Sequence, residues 1–203
     1  MNQELICLAS ASPRRRQLLE QIGVAFEVCP TDIDESFRHD EPPLELVHRL
    51  ALAKAGHAAA RSHQSPDQLI VAADTAVVLG GKIFGKPTDN NDARRMLAEL
   101  SGRTHQVMTA VAMVRGDARF CETNVSEVTF KDLEPAQIEH YVATGEPADK
   151  AGAYGIQGLG AVFVSRLEGS YSGVMGLPLF ETAALLEQFG VQVTCRIAGD
   201  SAT

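Results

Sequence analysis

Two hydroxyls and three arginines follow one another in the segment LASASPRRRQ (residues 8–17), where a helix is expected to begin. Ser10 and Ser12 fall at a strand-to-helix turn, whose free backbone N–H groups form an anion site. A guanidinium adds a bidentate grip on phosphate oxygens. Because successive helical residues point about 100° apart, at most one or two of the arginines face one ligand. The segment is typical of a phosphate-binding turn, although a surface helix with solvated arginines is an equal alternative.

Carboxylates that could hold a metal ion or activate water occur in two places. Asp74 follows the apolar run QLIVAA and therefore closes a predicted buried strand, with Thr75 directly after it. The carboxyl end of a strand is where α/β sheets usually bind ligands. The segment TDIDES adds Asp32, Asp34 and Glu35, whose oxygens suit a hard cation such as Mg²⁺. A turn aspartate and a solvated acidic loop are the structural alternatives.

Two lysines and a glycine-rich segment complete the candidate chemistry. Lys54 lies in an Ala- and Leu-rich helical stretch, so it either reaches water or points into a cleft. Lys86 precedes a proline and is therefore held in an extended conformation. The segment DKAGAYGIQG contains Tyr154 and Gln157 among small residues that let a flat ligand approach the backbone. Together these groups suit a nucleotide whose phosphates are attacked by water.

Composition restricts the partners of this protein. The 203 residues carry a formal net charge of −8, with 45% apolar and 22% charged residues, which is ordinary for a soluble globular protein. Non-specific binding to DNA or RNA needs a basic face, so the acidic balance disfavours it. The charge leaves room for a local cationic pocket that takes one small anion.

Cysteine usage and hydropathy predict a cytoplasmic protein. No CxxC pair and no suitably placed histidine indicate a zinc site. We expect the cysteines to be small buried hydrophobes in a reducing compartment: Cys7, Cys29, Cys121 and Cys195. No apolar run reaches the ~18 residues of a membrane helix, and the charges around the first apolar run have the wrong polarity for a signal peptide.

The elements that must position these groups follow from periodicity and from capping and turn residues. Predicted helices cover residues 13–23, 42–62, 88–102, 134–145 and 177–190. Predicted strands cover residues 4–10, 26–30 and 68–74, with hairpins over 76–87 and 105–130, a strand-like end to the segment 150–172 and a short strand after the last helix.

Two details of these elements bear on the fold. The second helix is expected to turn Leu46, Leu50 and Ala53 to one face, and a polar tail is expected from about Ala198. Strands and helices alternate early in the chain, and paired strands follow. The pattern predicts one α/β domain over residues 1–203, with a mixed twisted sheet flanked by helices and two lobes.

The motifs resemble, in order, those of the Maf nucleoside triphosphate pyrophosphatases. The matching segments are LASASPRRRQLL, DIDE, AKA, AADT, GKP, LSGRTHQVMTAV, DKAGAYGIQG and GSYSGVMGLPL. The similarity runs from about Leu5 to Leu186. It implies an inosine triphosphatase-like fold with a cleft between the two lobes, a divalent metal (Mg²⁺ or Mn²⁺), and a homodimer. It also implies hydrolysis of nucleoside triphosphates to the monophosphate and pyrophosphate.

Three positions imply the branch of the family that acts on dTTP and UTP. This branch carries SPRR, ADT and IQG, which the sequence matches through Arg15, Thr75 and Gln157. The sister branch, which prefers 7-methyl-GTP, has an inserted tryptophan, a glutamine and a glutamate at these places. A glutamine amide pairs with the N3–H and the carbonyl of uracil or thymine. Since an amide can flip, Gln157 alone would not reject cytosine.

The resemblance also suggests roles for the other candidates. Asp74, with help from Glu35, is expected to hold the metal, and Asp74 or a metal-bound water supplies the attack on the α-phosphorus. Lys54 and Lys86 are expected to stabilise charge on the transferring and departing groups. The phosphates would be gripped by Ser10, Ser12 and Arg15.

Two other functions stay open at the level of sequence. One is a nucleotide-binding regulator of cell division without turnover, which would have no need of a water-activating carboxylate. The other is a general enzyme that removes modified or purine triphosphates.

Overall fold

The computed structural model of the protein describes residues 4–61 and 67–193. Its strands are β1 (Ile6–Leu8), β2 (Phe26–Val28), β3 (Ile70–Leu79), β4 (Lys82–Phe84), β5 (Thr104–Arg115), β6 (Ala118–Phe130) and β7 (Val164–Glu168). They form one seven-stranded sheet in the order β2-β1-β3-β5-β6-β7, with β4 paired to β3. The predicted mixed sheet flanked by helices is confirmed.

The α-helices of the described residues correspond to the predicted ones, with one addition. They are α1 (Pro13–Gln21), α2 (Pro43–Arg61), α3 (Asn90–Leu100), α4 (Pro135–Ala143), α5 (Tyr171–Met175) and α6 (Leu179–Gln188). Local signals explain the starts of two helices: Pro13 occupies the first turn of α1, and Asp89 caps α3 by accepting from the backbone N–H of Asp92 at 2.8 Å. The short helix α5 was not predicted. None of the described helices is long and apolar enough to cross a membrane.

The edge of β3 opposite β5 is only partly covered. β1 pairs with the start of β3 in parallel, through Ile70 and Val71. β4 pairs with the end of β3 in antiparallel fashion, over residues 77–79, after a turn at Gly80 and Gly81. Between these two ladders, residues 72–76 have no strand partner on this edge within the described chain. Asp74 and Thr75 lie in this opening.

Side-chain alternation sends Asp74 and Thr75 to opposite faces of β3. One face, which carries Ala72 and Ala76, packs against the alanine-rich side of α2. The other face carries two apolar clusters, one with α1 and α6 and the other with α3 and α4. Their residues on β3 flank Thr75, with Ala73 in the first cluster and Val77 in the second. These two clusters are the cores of the two lobes.

Three predictions about local structure were wrong. β3 does not end at Asp74 but continues to Leu79, because the strand stays paired with β5 through this stretch. Ala53 is exposed, since α2 buries the side that carries Val47, Ala51 and Ala55. The third concerns the cysteines, which were expected to be small buried hydrophobes in a reducing compartment.

Cys7 and Cys29, on and just after adjacent parallel strands, are paired as a disulfide, while Cys121 is free. The predicted polar tail and Cys195 lie outside the described residues. The strand expected after the last helix falls mostly outside them as well.

Candidate active site

A cavity of about 620 Å³ opens at the uncovered edge of β3, a size typical of small-molecule sites. It reaches α2 on one face of the sheet and the cleft between the two lobes on the other. Eight of the predicted site residues line it: Ser10, Ser12, Arg15, Glu35, Lys54, Asp74, Thr75 and Lys86. Residues that are up to 76 positions apart in sequence therefore converge on one hollow.

On the α2 side, Lys54 bridges the two predicted metal-binding carboxylates. Its Nζ lies 2.6 Å from Oδ1 of Asp74 and 2.8 Å from Oε1 of Glu35. The side chains of Lys54 and Asp74 are 10% and 11% exposed, whereas Glu35 is half exposed at 50%. Lys54 occupies the buried face of α2, so it points into the cleft rather than to open water.

Burial and the lysine act in opposite directions on the two carboxyls. Burial raises the pKa of Asp74 above its ordinary value, although the charge of Lys54 works against the rise. Burial also works to raise the pKa of Glu35. There, the hydrogen bond and charge of Lys54 outweigh it and hold the pKa below the ordinary value. Burial therefore makes Asp74 a stronger base than an ordinary aspartate, the property expected of a proton acceptor.

The donor set of this corner fits a divalent cation that arrives with a phosphorylated ligand. Mg²⁺ in proteins is commonly held by one or two carboxylates together with substrate phosphates and waters. Asp74 and Glu35 supply such a pair, held on one lysine. No group of three or more His, Cys, Asp or Glu side chains suited to a metal occurs in the described residues.

On the opposite face, Arg15 is fixed by three acceptors. Its Nε donates to the carbonyl of Gly176 at 2.7 Å, Nη1 to the hydroxyl of Ser10 at 3.1 Å, and Nη2 to the hydroxyl of Thr75 at 3.3 Å. Burial lowers the pKa of Arg15, and the nearby Asp74 charge opposes this. A guanidinium has five N–H groups, so two remain for a ligand beyond these three contacts.

Behind Arg15, the hydroxyls of Thr75 and Thr109 form a chain of hydrogen bonds in which the direction of donation is fixed. Thr109, which is directly opposite Thr75 in the β3–β5 ladder, donates to the carbonyl of Gly173 at 2.8 Å. The Thr75 and Thr109 hydroxyls lie 3.0 Å apart. Because Thr109 has a single proton, Thr75 must be the donor between them. Thr75 therefore offers only lone pairs to Arg15 and to a ligand.

The other predicted residues occupy less constrained positions. Ser12 is the N-cap of α1, and its hydroxyl makes no capping hydrogen bond. Its backbone N–H donates to the hydroxyl of Ser10 at 3.2 Å. Lys86 is exposed at the mouth of the cavity and makes no ion pair with other described residues. Lys86 contributes to the lowered pKa of Glu35, so its charge is felt across the site.

Gln157 is not brought into the cavity. It is exposed in a turn, while Tyr154, Gly155 and Ile156 just before it do line the cavity. Its role in selecting the base stays a prediction.

Sequence reasoning missed Thr109 and Gly176, which orient Thr75 and Arg15. Both belong to segments, THQVMTAV and GVMGLPL, that carried the family resemblance. Their contacts depend on a strand register and on a loop closure that no local pattern gives.

Comparison with known proteins identifies a family and similar relatives. The family described as Maf-like protein matches residues 5–189. The chain is 52% identical over 194 residues to the dTTP/UTP pyrophosphatase of Chromobacterium violaceum, which covers 95% of this chain and 98% of that one. Identity to the dTTP/UTP pyrophosphatase of Aromatoleum aromaticum is 51% over 199 residues, covering 93% and 97%.

Solved structures are less similar. The Staphylococcus aureus Ham1 protein is 15% identical with a TM-score of 0.48, over 64% of this chain and 73% of that chain. The family match spans nearly the whole chain, and eight predicted site residues are gathered in one cavity, whereas Gln157 and the loop carboxylates Asp32 and Asp34 do not line it. This chain belongs to the Maf family.

Proposed function

We propose that this protein is a nucleoside triphosphate pyrophosphatase that hydrolyses dTTP and UTP to the monophosphate and pyrophosphate. The names of its relatives at about 50% identity over nearly the full chain support this substrate choice. The observation that carries the chemistry is the position of Asp74. This buried carboxylate with a raised pKa faces the same cavity as Arg15, Lys54 and Lys86.

The reaction needs a water to attack the α-phosphorus while pyrophosphate leaves. Asp74 orients this water and accepts its proton, because a carboxylate with a raised pKa is a stronger base. Lys54 contacts Asp74 directly, so it limits the repulsion between this carboxylate and the incoming phosphates. Arg15 presents its remaining N–H groups to phosphate oxygens, and Lys86 meets the developing charge at the cavity mouth.

A divalent cation, Mg²⁺ or Mn²⁺, completes the proposed site. Asp74 and Glu35 are the residues that would hold it, and when bound it neutralises phosphate charge and lowers the pKa of water. Glu35 is half exposed, so its carboxylate is accessible from solution. Ser10 is held by its contact with Arg15 and fixes the phosphate end of the cavity.

The proposal also covers base selection, the oligomeric state and the cellular location of the protein. Gln157 recognises the base through its amide, and Thr75 contributes an acceptor. We propose that residues 1–203 act as one Maf-type domain, as a homodimer in the cytoplasm. The net charge of −8 disfavours nucleic acid or an anionic membrane surface as the partner, and the small anionic substrate is instead met by the local cations Arg15, Lys54 and Lys86.

A panel of triphosphates tests this function. Pyrophosphate release is measured with dTTP, UTP, CTP, GTP and 7-methyl-GTP, each with Mg²⁺, with Mn²⁺ and with excess EDTA. We expect metal-dependent release that is fastest with dTTP and UTP. Tight nucleotide binding without release under any condition would instead favour the nucleotide-binding regulator. Equal turnover of purine and pyrimidine triphosphates would favour the general enzyme.

A further inference from the structure

The loop that carries Gln157, here called the amide loop (residues 155–160), is hydrogen-bonded at one end to the carboxylate of Glu146. Oε2 of Glu146 accepts from the backbone N–H of Leu159 at 2.9 Å, and Oε1 accepts from that of Gly160 at 3.1 Å. The hydroxyl of Tyr141 donates to Oε1 at 2.8 Å. Glu146 does not itself line the cavity, so it acts on the site through its neighbours. These are this loop and Lys150, a cavity residue whose charge helps to lower the pKa of Glu146.

Tyr141 is hydrogen-bonded to the other end of the amide loop. Its hydroxyl accepts from the backbone N–H of Gly155 at 3.0 Å while donating to Glu146. The ring of Tyr141 is buried and packs edge-on against Phe163, with 4.9 Å between ring centroids. The two ends of the loop therefore meet at a single pair of side chains, anchored in the core of one lobe.

The glycines of the amide loop are required by the closeness of this pair. A Cβ on Gly158 would lie 2.4 to 2.5 Å from the carboxylate atoms of Glu146. A Cβ on Gly160 would lie 2.7 Å from the hydroxyl oxygen of Tyr141. Real Cβ atoms do not approach other atoms this closely. The loop backbone can therefore lie directly against the side chains of Glu146 and Tyr141 only because these two positions are glycine.

The charge state of Glu146 matches its partners. Burial works to raise its pKa, but the hydrogen bonds from the two backbone N–H groups and from Tyr141 outweigh this and hold the pKa below the ordinary value. An ionised carboxylate only accepts hydrogen bonds, and here it faces three donors. A neutral side chain of the same shape would present a donor to at least one of them.

We infer that Glu146, together with Tyr141, is a positioning residue for substrate selection: the pair fixes the amide loop, and thereby the edge that the loop presents to the nucleotide base. This inference rests on the proposed function. Gly155 and Ile156, which come just before Gln157 in the loop, line the cavity. A shift of the loop would therefore change the part of the cavity that is proposed to bind the base. Asp74 and Arg15 lie on β3 and α1, outside the loop, and keep their own contacts.

The experiment compares Glu146→Gln, Tyr141→Phe and a matched control. Glu139→Gln serves as the control because Glu139 is an exposed glutamate on α4 whose partner is a surface arginine. For each protein, kcat and KM are measured with UTP and GTP. We expect Glu146→Gln to lower the ratio of the two kcat/KM values, UTP over GTP, by at least about tenfold, because hydrogen-bonding subsites discriminate only when held in place. Tyr141→Phe should lower the ratio by a smaller factor, and Glu139→Gln should leave it unchanged.

The results separate positioning from a merely structural role. The loss should appear mainly as a raised KM for UTP, with kcat for UTP within about threefold of the unmodified protein, since uniform binding affects KM alone. An equal fall of both substrates in a folded Glu146→Gln protein, or an unchanged ratio, would overturn the inference. If Glu146→Gln does not fold, Tyr141→Phe decides by the same ratio. If the unmodified protein releases no pyrophosphate from any triphosphate, the proposed function fails, and the inference with it.

Discussion

At the scale of single residues, the site depends on side chains that use several of their polar atoms at once. Lys54 holds two carboxylates, and Arg15 donates to three oxygens on three different segments. Such groups are placed before any ligand arrives, so binding does not have to order them. Substitutions that keep the charge but change the geometry should therefore be harmful.

Asp74→Asn keeps the shape of the side chain but removes its charge and basicity. We expect turnover of UTP to fall by at least ~100-fold, the scale of a lost general base. Pyrophosphate release by the purified protein measures this, with thermal unfolding to show that the variant is folded. Asp117→Asn, at an exposed turn between β5 and β6, is the matched control and should retain full activity. Near-normal turnover in a folded Asp74→Asn protein would exclude Asp74 as the base.

Arg15→Lys keeps the charge but cannot reproduce the three-way contact. One ammonium group does not span the carbonyl of Gly176 and the hydroxyls of Ser10 and Thr75, which lie on different sides of the guanidinium. We expect kcat/KM for UTP to fall by about 10- to 100-fold, consistent with the loss of one or two charge-assisted hydrogen bonds. Arg16→Lys, exposed on the same helix, should behave like the unmodified protein. Equal kinetics for the two variants would show that charge alone suffices at position 15.

At the scale of elements, the site exists because β3 is longer than the partners on one of its edges. β1 covers its first residues and β4 its last, so the middle of the strand is open to a ligand while β5 pairs along the other edge. Strand alternation then divides the chemistry: Asp74 lies with α2 and its lysine, and Thr75 with Arg15.

Thr109→Val tests whether β5 supports this arrangement from behind. The substitution keeps the volume but removes the hydroxyl that accepts from Thr75 and donates to Gly173. We expect the rotation of the Thr75 hydroxyl to be released and KM for UTP to rise by about 3- to 10-fold, the effect of one hydrogen bond. The carbonyl of Gly173 keeps its bond from the N–H of Gly176, so folding should be preserved.

Thr109→Ser is the matching control, because it retains the hydroxyl and loses only a methyl group. It should restore most of the affinity for UTP. If the valine and serine variants show the same KM, packing rather than hydroxyl direction explains the position.

Most helices and strands were predictable because their apolar periodicity and their caps are local. The end of β3 was not, since Asp74 and Thr75 are polar and break the apolar run, whereas the strand is held by its ladder with β5. Helix α5 lies between glycines that give no helical signal. Chemistry alone left a structural alternative open for each candidate residue of the site, and the family resemblance selected among them. The support from Thr109 and Glu146 was not predictable, because it follows from tertiary register and loop closure.

At the scale of the whole molecule, the cleft lies between two apolar cores that share one sheet. The first cluster joins α1 and α6 to the start of β3, and the second joins α3 and α4 to its end. Ser10, Ser12 and Arg15, the proposed phosphate-binding groups, come from the first lobe, while Tyr154 and the amide loop come from the second. The stability of each core therefore contributes to the geometry of the shared site.

His105 gives the whole molecule a predictable dependence on pH. Its ring is 2% exposed in the second cluster, packs edge-on against Phe130 and lies 2.9 Å, through Nε2, from the hydroxyl of Tyr154. Burial lowers the pKa of His105 from 6.5 to about 4. Between these values the unfolded chain binds the proton and the folded chain does not, so the free energy of unfolding falls as the pH falls from about 6.5 to about 4.

The size of this loss is on the order of 3 kcal/mol, since one pKa unit corresponds to about 1.4 kcal/mol. Denaturant unfolding at pH 7 and at closely spaced values down to about 4 measures it. His105→Gln keeps a donor for Tyr154 but does not titrate, so its stability should change less across this window, although it starts lower at pH 7. His140→Gln, on the exposed side of α4, is the control and should follow the unmodified protein. The same slope in His105→Gln and the unmodified protein would show that other groups cause the acid sensitivity.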